Sequence, residues 1–261
     1  MDLDLTGRHA LVCGGSEGIG RATAIEVASL GARVTVLARR KVALREVSAA
    51  LPRNGGQTHG LIVADMDATD ALRDAVSELA SASPVHILIN NTGGPPGGRA
   101  IDADIDAFLA AYRRHLVANQ TLTQALVPGM RQARYGRIVN VISTSVYEPI
   151  PNLGVSNTTR GAVASWAKTL SRELAADGIT VNNVLPGFTE TGRIAQIVAG
   201  RQAKTGESEA DIRKEMMAGV PAGRFAEPEE TAALIAFLCS PAAAYINGQS
   251  IAVDGGRMNS I

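Results

Sequence analysis

The 261-residue sequence is short of several residue types, and each shortage removes a class of function. Its 2 Cys are too few for a disulfide scaffold. Cys13 and Cys239 lie far apart in apolar runs, where buried, reduced thiols are expected and not metal ligands or a bridge. Aromatic residues make up 3% of the chain, and 25 basic side chains are matched by 25 acidic ones. With few rings to stack on bases and no cationic excess to displace counterions, no binding to nucleic acid is expected. No apolar run approaches the roughly 18 residues of a membrane span. The start Met1-Asp2-Leu3-Asp4-Leu5 also lacks the basic residues of a secretory leader. A soluble, cytoplasmic protein without membrane attachment is expected. The 4 His show no metal-ligand spacing with the cysteines, so no metal site is expected.

What is present is a repeating alternation of short apolar runs and helix-spaced segments. Arg8–Val12, Val34–Leu37, Gly60–Ala64, Val85–Ile89, Arg137–Ile142, Thr180–Val184 and Gln249–Val253 read as strands. Between them, Ile19–Leu30, Lys41–Leu51, Ala68–Ser81, Asp104–Arg131, Gly154–Ala176 and Glu229–Leu238 carry helical spacing. Continuous apolar strands separated by helices predict an α/β fold, a single-domain, Rossmann-like doubly wound parallel sheet with helices on both faces. No linker or low-complexity tract divides residues 1–261. The charged stretch Arg193–Gly219 looks mobile, with Met216 and Met217 as adaptable apolar side chains.

The first strand runs into Gly14-Gly15-Ser16-Glu17-Gly18-Ile19-Gly20 and then a helix. Gly14, Gly18 and Gly20 allow a tight turn, close approach of the backbone to a pyrophosphate and close helix–sheet packing. The helix N-terminus offers free N–H groups and a positive dipole to the anion. A dinucleotide site is therefore expected here. The second strand ends Leu37-Ala38-Arg39-Arg40-Lys41, without the carboxylate that would accept from a ribose 2′-hydroxyl. Arg39 and Arg40 favour a 2′-phosphate, hence NADP(H), while Glu17 nearby works against that preference and keeps NAD(H) open.

With these features the chain resembles the short-chain dehydrogenase/reductase family over nearly its whole length, and within it the bacterial β-ketoacyl-ACP reductases. The glycine turn matches the family's cofactor motif, with Cys13 in place of the usual Thr. Asp65-Met66 corresponds to the adenine-contacting Asp segment, and Asn90-Asn91-Thr92-Gly93 to the Asn-Asn-Ala-Gly after the fourth strand. Pro186-Gly187 corresponds to the segment that cradles nicotinamide, with Thr189 and Thr191 placed to contact its carboxamide. Gly248 to Gly256 completes the likeness. The resemblance implies an NADP(H)-dependent oxidoreductase acting on a small-molecule ketone or alcohol, with a 3-oxoacyl thioester among the candidates. It also implies a helical substrate lid around residues 189–219 and a homo-oligomer, dimer or tetramer.

The catalytic positions depart from the family. Its Ser falls on Ser143, but Ser156 and Arg160 stand where Tyr and Lys of Tyr-x-x-x-Lys are expected, and His115 stands where an Asn is expected. A serine hydroxyl is far less acidic than a phenol, and Arg stays protonated. Arg160 retains the donor tasks of holding the nicotinamide ribose hydroxyls and stabilising an oxyanion. Tyr147, on the loop after Ser143, and His115, as an imidazole titrating near neutrality, are two ways to restore proton delivery. Each has a plainer reading, Tyr147 as an amphipathic loop residue and His115 as a packed helix histidine. The substitutions leave two functions standing: a reductase with a non-standard catalytic set, or an NADP(H)-binding protein without redox turnover, acting as a sensor or an inactive partner subunit.

Overall fold

The computed structural model describes residues 1–260. Seven strands, β1 (His9–Cys13), β2 (Arg33–Ala38), β3 (Gly60–Val63), β4 (Ile87–Asn90), β5 (Gly136–Val141), β6 (Ile179–Pro186) and β7 (Ser250–Val253), form one parallel sheet in the order β3-β2-β1-β4-β5-β6-β7. The helices are α1 (Gly18–Ser29), α2 (Lys41–Ala50), α3 (Thr69–Ala82), α4 (Ile105–Tyr112), α5 (Ala118–Ala133), α6 (Gly154–Leu174), α7 (Gly192–Thr205), α8 (Glu209–Ala218) and α9 (Pro228–Cys239).

Strand alternation sorts the core into two layers. Ala10 and Val12 of β1 belong to one layer with Ala24 and Val27 of α1, Leu44 of α2 and Ile235 of α9. Leu11 and Cys13, pointing the other way, join Leu72 of α3, Leu122 and Leu126 of α5 and Ala167 of α6. Both faces of the sheet are covered, so its strands read as continuous apolar runs and not as alternating ones. Each fully buried leucine contributes about 1.5–3 kcal/mol. Cys13 and Cys239 are buried, unbonded thiols, pushed up to about 12 by burial.

The strand order reverses between β1 and β4, which opens a crevice at the carboxyl ends of the strands. Below it a row of buried amides ties four strands together. Asn90 Nδ2 donates to Asn140 Oδ1 at 2.9 Å, Asn140 Nδ2 to Asn183 Oδ1 at 2.9 Å, and Asn183 Nδ2 to Ser250 Oγ at 3.0 Å.

The long helical region expected over Asp104–Arg131 runs unbroken from Ile105 to Ala133, with α4 and α5 joined by a π-helical turn, Arg113–Val117, that carries the buried His115. The stretch Arg193–Gly219 is helical, as α7 and α8, and these bury Ile194, Val198 and Ile212 with Phe225 in a cluster of their own.

The opposite end of the sheet carries a histidine pair. His9 Nε2 bonds Thr35 Oγ1 at 2.8 Å, and His86 Nδ1 accepts from the His9 amide at 3.1 Å. Burial, with Arg33 nearby, lowers His9 from 6.5 to about 4. The folded protein therefore holds this imidazole neutral where the unfolded chain binds a proton. Stability is complete above pH 6.5 and falls as the pH drops towards 4. We expect His9 alone to remove about 2 kcal/mol between pH 8 and pH 5, read from urea unfolding midpoints. His9→Gln should flatten that slope, and equal slopes in the two proteins would remove His9 as its source.

Candidate functional site

The crevice is a cleft of about 520 Å³ running from the β1–α1 turn to the β5 and β6 loops. At its base, the glycine turn is packed too closely for side chains. A Cβ on Gly14 (φ +59°) would lie 2.6 Å from Asn91 Nδ2, and one on Gly20 would lie 2.2 Å from the Gly14 carbonyl oxygen. Gly18 (φ +52°) faces Thr191, whose Cγ2 would be 3.1 Å from an added Cβ. Glu17 caps α1 by backbone only, and the first turn carries no acidic side chain, so its N–H groups are free to meet an anion. The turn thus fits a diphosphate.

At one end of the cleft, Arg40 pairs with Glu17 at 2.6 Å and Arg39 stands 3.9 Å from Asp65, both pairs well exposed. All the expected cofactor-side residues line the cleft (Ser16, Ile19, Met66, Asn91, Thr92, Gly93, Pro186, Gly187 and Thr189 among them) except Gly20, which packs beneath it.

At the other end the structure brings together Ser143, Ser156 and Arg160. Ser143 opens a short turn, its Oγ accepting from the Ser145 amide at 3.1 Å. Ser156 and Arg160 are four residues apart on α6 and so share a helix face. Arg160 is buried, and its Nη1 donates to the Val141 carbonyl at 2.8 Å. Burial, with the Arg193 charge adding to it, lowers Arg160 to about 10, leaving the guanidinium charged at neutral pH. Arg193 Nη2 donates to the Pro95 carbonyl at 2.7 Å. The Nη2 atoms of Arg160 and Arg193 each come within 3.5 Å of where a Gly94 Cβ would sit.

The two suggested proton donors are not in this group. Tyr147 is exposed, does not line the cleft, and its hydroxyl donates to the Ser250 carbonyl at 3.4 Å. It caps the C-terminal end of the 3-10 turn Thr144–Val146 that follows Ser143. His115 is 4% exposed, also outside the cleft lining, and is lowered to about 2 by burial and by the charges of Arg160 and Arg114. It is a neutral imidazole at any physiological pH, so the expectation that it titrates near neutrality is corrected.

A family model described as enoyl-(acyl carrier protein) reductase matches residues 14–258. The chain belongs to the short-chain dehydrogenase/reductase family. It is 33% identical to the 3-oxoacyl-[acyl-carrier-protein] reductase of Vibrio harveyi, across 97% of this chain and 98% of that protein. It is 30% identical to the NADPH-dependent reductase BacG of Bacillus subtilis, across 97% and 99%. Among solved structures, the L-sorbose reductase of Gluconobacter frateurii, complexed with NADPH and L-sorbose, superposes with a TM-score of 0.93 at 30% identity over the full length of both chains.

Sequence reasoning left out Arg193 and Arg257, both of which line the cleft. Arg257 Nη1 donates to Thr144 Oγ1 at 3.3 Å, and its guanidinium lies 4.8 Å from the Phe188 ring centroid. Neither sits in a motif. Only the return of β7 and the docking of α7 bring them to the site.

The burial of His115 has a direct spectroscopic consequence. Its ring resonances, assigned by their loss in His115→Asn, should show no inflection between pH 5 and pH 8; a midpoint near 6.5 would restore the proton-relay role.

Proposed function

We propose that the protein is an NADPH-dependent oxidoreductase that interconverts a ketone and a secondary alcohol, with Ser143, Ser156 and Arg160 as its catalytic residues. The observation that carries this reading is the convergence of two hydroxyls and a buried guanidinium at one end of a cleft whose other end fits a dinucleotide diphosphate. The NADPH named for the Bacillus and Gluconobacter proteins, together with Arg39 and Arg40, supports the choice of cofactor. When bound, that cofactor supplies a hydride to the carbonyl carbon.

The protein's own groups serve the oxygen. Ser143 and Ser156 donate hydrogen bonds to it, and Arg160 stabilises the developing alkoxide, a task that needs a fixed cation and not an acidic proton. Arg160 is suited to this because its bond to Val141 holds it in place. The alkoxide then takes its proton from a serine hydroxyl or from water. Without an acidic phenol the reaction forgoes about 10²–10⁴-fold of general-acid assistance, so a slow reductase is expected. The helices α7 and α8, with Arg193 fastened to Pro95 across the cleft, act as the substrate lid. Ile105, Leu109 and Tyr112, exposed together on α4, favour the homo-oligomer.

Consumption of NADPH with diketones, quinones and 3-oxoacyl thioesters tests the reading. Turnover should fall about tenfold or more in Ser156→Ala and in Arg160→Met, and stay within about twofold in Tyr147→Phe, whose phenol faces away from the cleft. NADPH binding without consumption of any carbonyl would favour the second reading, a dinucleotide-binding protein without turnover, which the three replaced catalytic positions motivate.

Glu17 opposes the 2′-phosphate by occupying Arg40. Glu17→Gln should therefore tighten NADPH a few-fold in a fluorescence titration and leave NADH nearly unchanged. An equal gain for both cofactors would place the effect elsewhere than at the 2′-phosphate.

A further inference from the structure

Charge is distributed unevenly along the cleft. The acids that line it, Glu17 and Asp65, stand at one end, against Arg40 and Arg39. Arg114, also on its wall, is matched by Asp67. At the other end Arg160, Arg193 and Arg257 line the cleft, and among the described residues no carboxylate comes within ion-pair distance of them. Glu148, whose carboxyl feels the Arg257 charge, uses Oε1 to accept from the backbone N–H groups of Asn259 and Ser260.

Each of the three guanidinium groups is held by a neutral oxygen: Val141 for Arg160, Pro95 for Arg193 and Thr144 for Arg257. Phe188 supports Arg257 from its face. One such bond fixes a guanidinium but leaves most of its five N–H donors unanswered and, for Arg257, only the more distant Glu148 carboxylate to offset its charge. Cations in partly desolvated sites are normally paired, so the pattern calls for an anion from outside the chain. The cofactor diphosphate does not supply it, because the turn that fits the diphosphate is at Gly14–Gly20, and Arg160 already has the substrate oxygen and ribose hydroxyls to serve. Arg193 and Arg257 remain. They are anchored on different walls, Arg193 on the loop after β4 and Arg257 on the loop after β5 next to Ser143.

We propose that the substrate is an oxo acid, reduced to the corresponding hydroxy acid, whose carboxylate is bound by Arg193 and Arg257 while its carbonyl meets Ser143, Ser156 and Arg160. The inference rests on the ketone–alcohol reading and names its substrate class. The balance is that of any such reduction. The carbonyl carbon gains a hydride from NADPH, the oxygen gains a proton from a serine hydroxyl or water, NADP⁺ leaves, and the carboxylate is unchanged. Planar guanidinium groups match a carboxylate with paired, charge-assisted hydrogen bonds, which makes recognition sensitive to its loss.

The test compares 2-, 3-, 4- and 5-oxo acids with their ethyl esters in the NADPH reaction of the full-length protein. At least one acid should exceed its ester about tenfold or more in kcat/KM. Arg257→Gln and Arg193→Gln should each remove most of that ratio, through a rise in KM for the acid. The ratio is independent of how much of a variant folds. Esters equal to acids across the set, or ratios untouched by both substitutions, would overturn the proposal, and preference for a phosphorylated ketone over every oxo acid would overturn the carboxylate assignment. If no ketone is reduced, calorimetric titration of the NADP⁺-loaded protein with the same acids separates the two ideas. Binding that Arg257→Gln weakens about tenfold keeps the anion site while the redox reading falls; no heat with any acid removes the anion site as well.

Discussion

The amides of Asn90 and Asn91 hold the molecule's two halves in register at the point where the strand order reverses. Asn91 Nδ2 reaches the carbonyls of Cys13 at 3.3 Å and Gly14 at 3.5 Å, tying the end of β4 to the glycine turn. Asn90 starts the row of carboxamides that crosses β5 and β6 to Ser250 on β7. Main-chain pairing joins β1 to β4 only from Ala10–Val12 against Ile87–Ile89, and these amides carry the tie past the strand ends to the glycine turn. Neutral amides suit this position, since they pair with each other without introducing a charge and do not titrate. The closeness of Gly14 and Gly20 to Asn91 and to each other follows from the same clamp. A turn packed to that degree has one conformation, and its free N–H groups have one direction.

On that frame the far end of the cleft brings Ser143, Ser156 and Arg160 to one wall. Ser156 and Arg160, four residues apart on α6, line the same cleft as the strand-five serine, and under the proposed function they would donate to a substrate oxygen and to ribose hydroxyls. Neither of these two groups carries a proton of phenol-like acidity. Arg160 offers a stronger and more directional cation than Lys, fixed by Val141, and Arg193 raises the positive potential beside it. A site that is weak as an acid and strong as an electrostatic clamp stabilises negative charge on oxygen better than it delivers a proton. Its rate then depends on how well the substrate is held, because positioning is worth orders of magnitude in effective concentration.

How much of this was legible in the sequence follows from how local each feature is. The β–α alternation is written in runs of a few residues, so the single doubly wound sheet could be read directly, and the glycine turn could be placed because strand, turn and helix are contiguous. Asp65, Asn91 and Thr191 came through resemblance, as spaced motifs at successive strand ends. The π-helical turn at Arg113–Val117 was illegible: its residues have ordinary helical spacing, and only packing of His115 against the interior reveals the extra residue. Tyr147 could be placed on the loop after Ser143, but the exposure that follows the 3-10 turn Thr144–Val146 could not be read from its spacing. Arg193 and Arg257 carry no local signature at all. Their meaning comes from acids that are absent around them, which a linear sequence with balanced charge conceals.

The division of charge along the cleft sets two different kinds of selectivity. At the Glu17 end, a 2′-phosphate must replace carboxylates that already face Arg39 and Arg40, so the exchange swaps one exposed ion pair for another. Exposed pairs are worth little, and the difference between two of them is worth less, so discrimination between the cofactors there is modest. At the Arg257 end, no internal carboxylate has to be displaced, and the guanidinium groups are partly shielded from water. An arriving anion there gains the whole interaction at a lower effective dielectric. The same residue type therefore acts as a weak filter at one end and a strong one at the other. The cause is the placement of two acids, Glu17 and Asp65, which answer the cations at one end of the cleft and leave those at the other for the ligand.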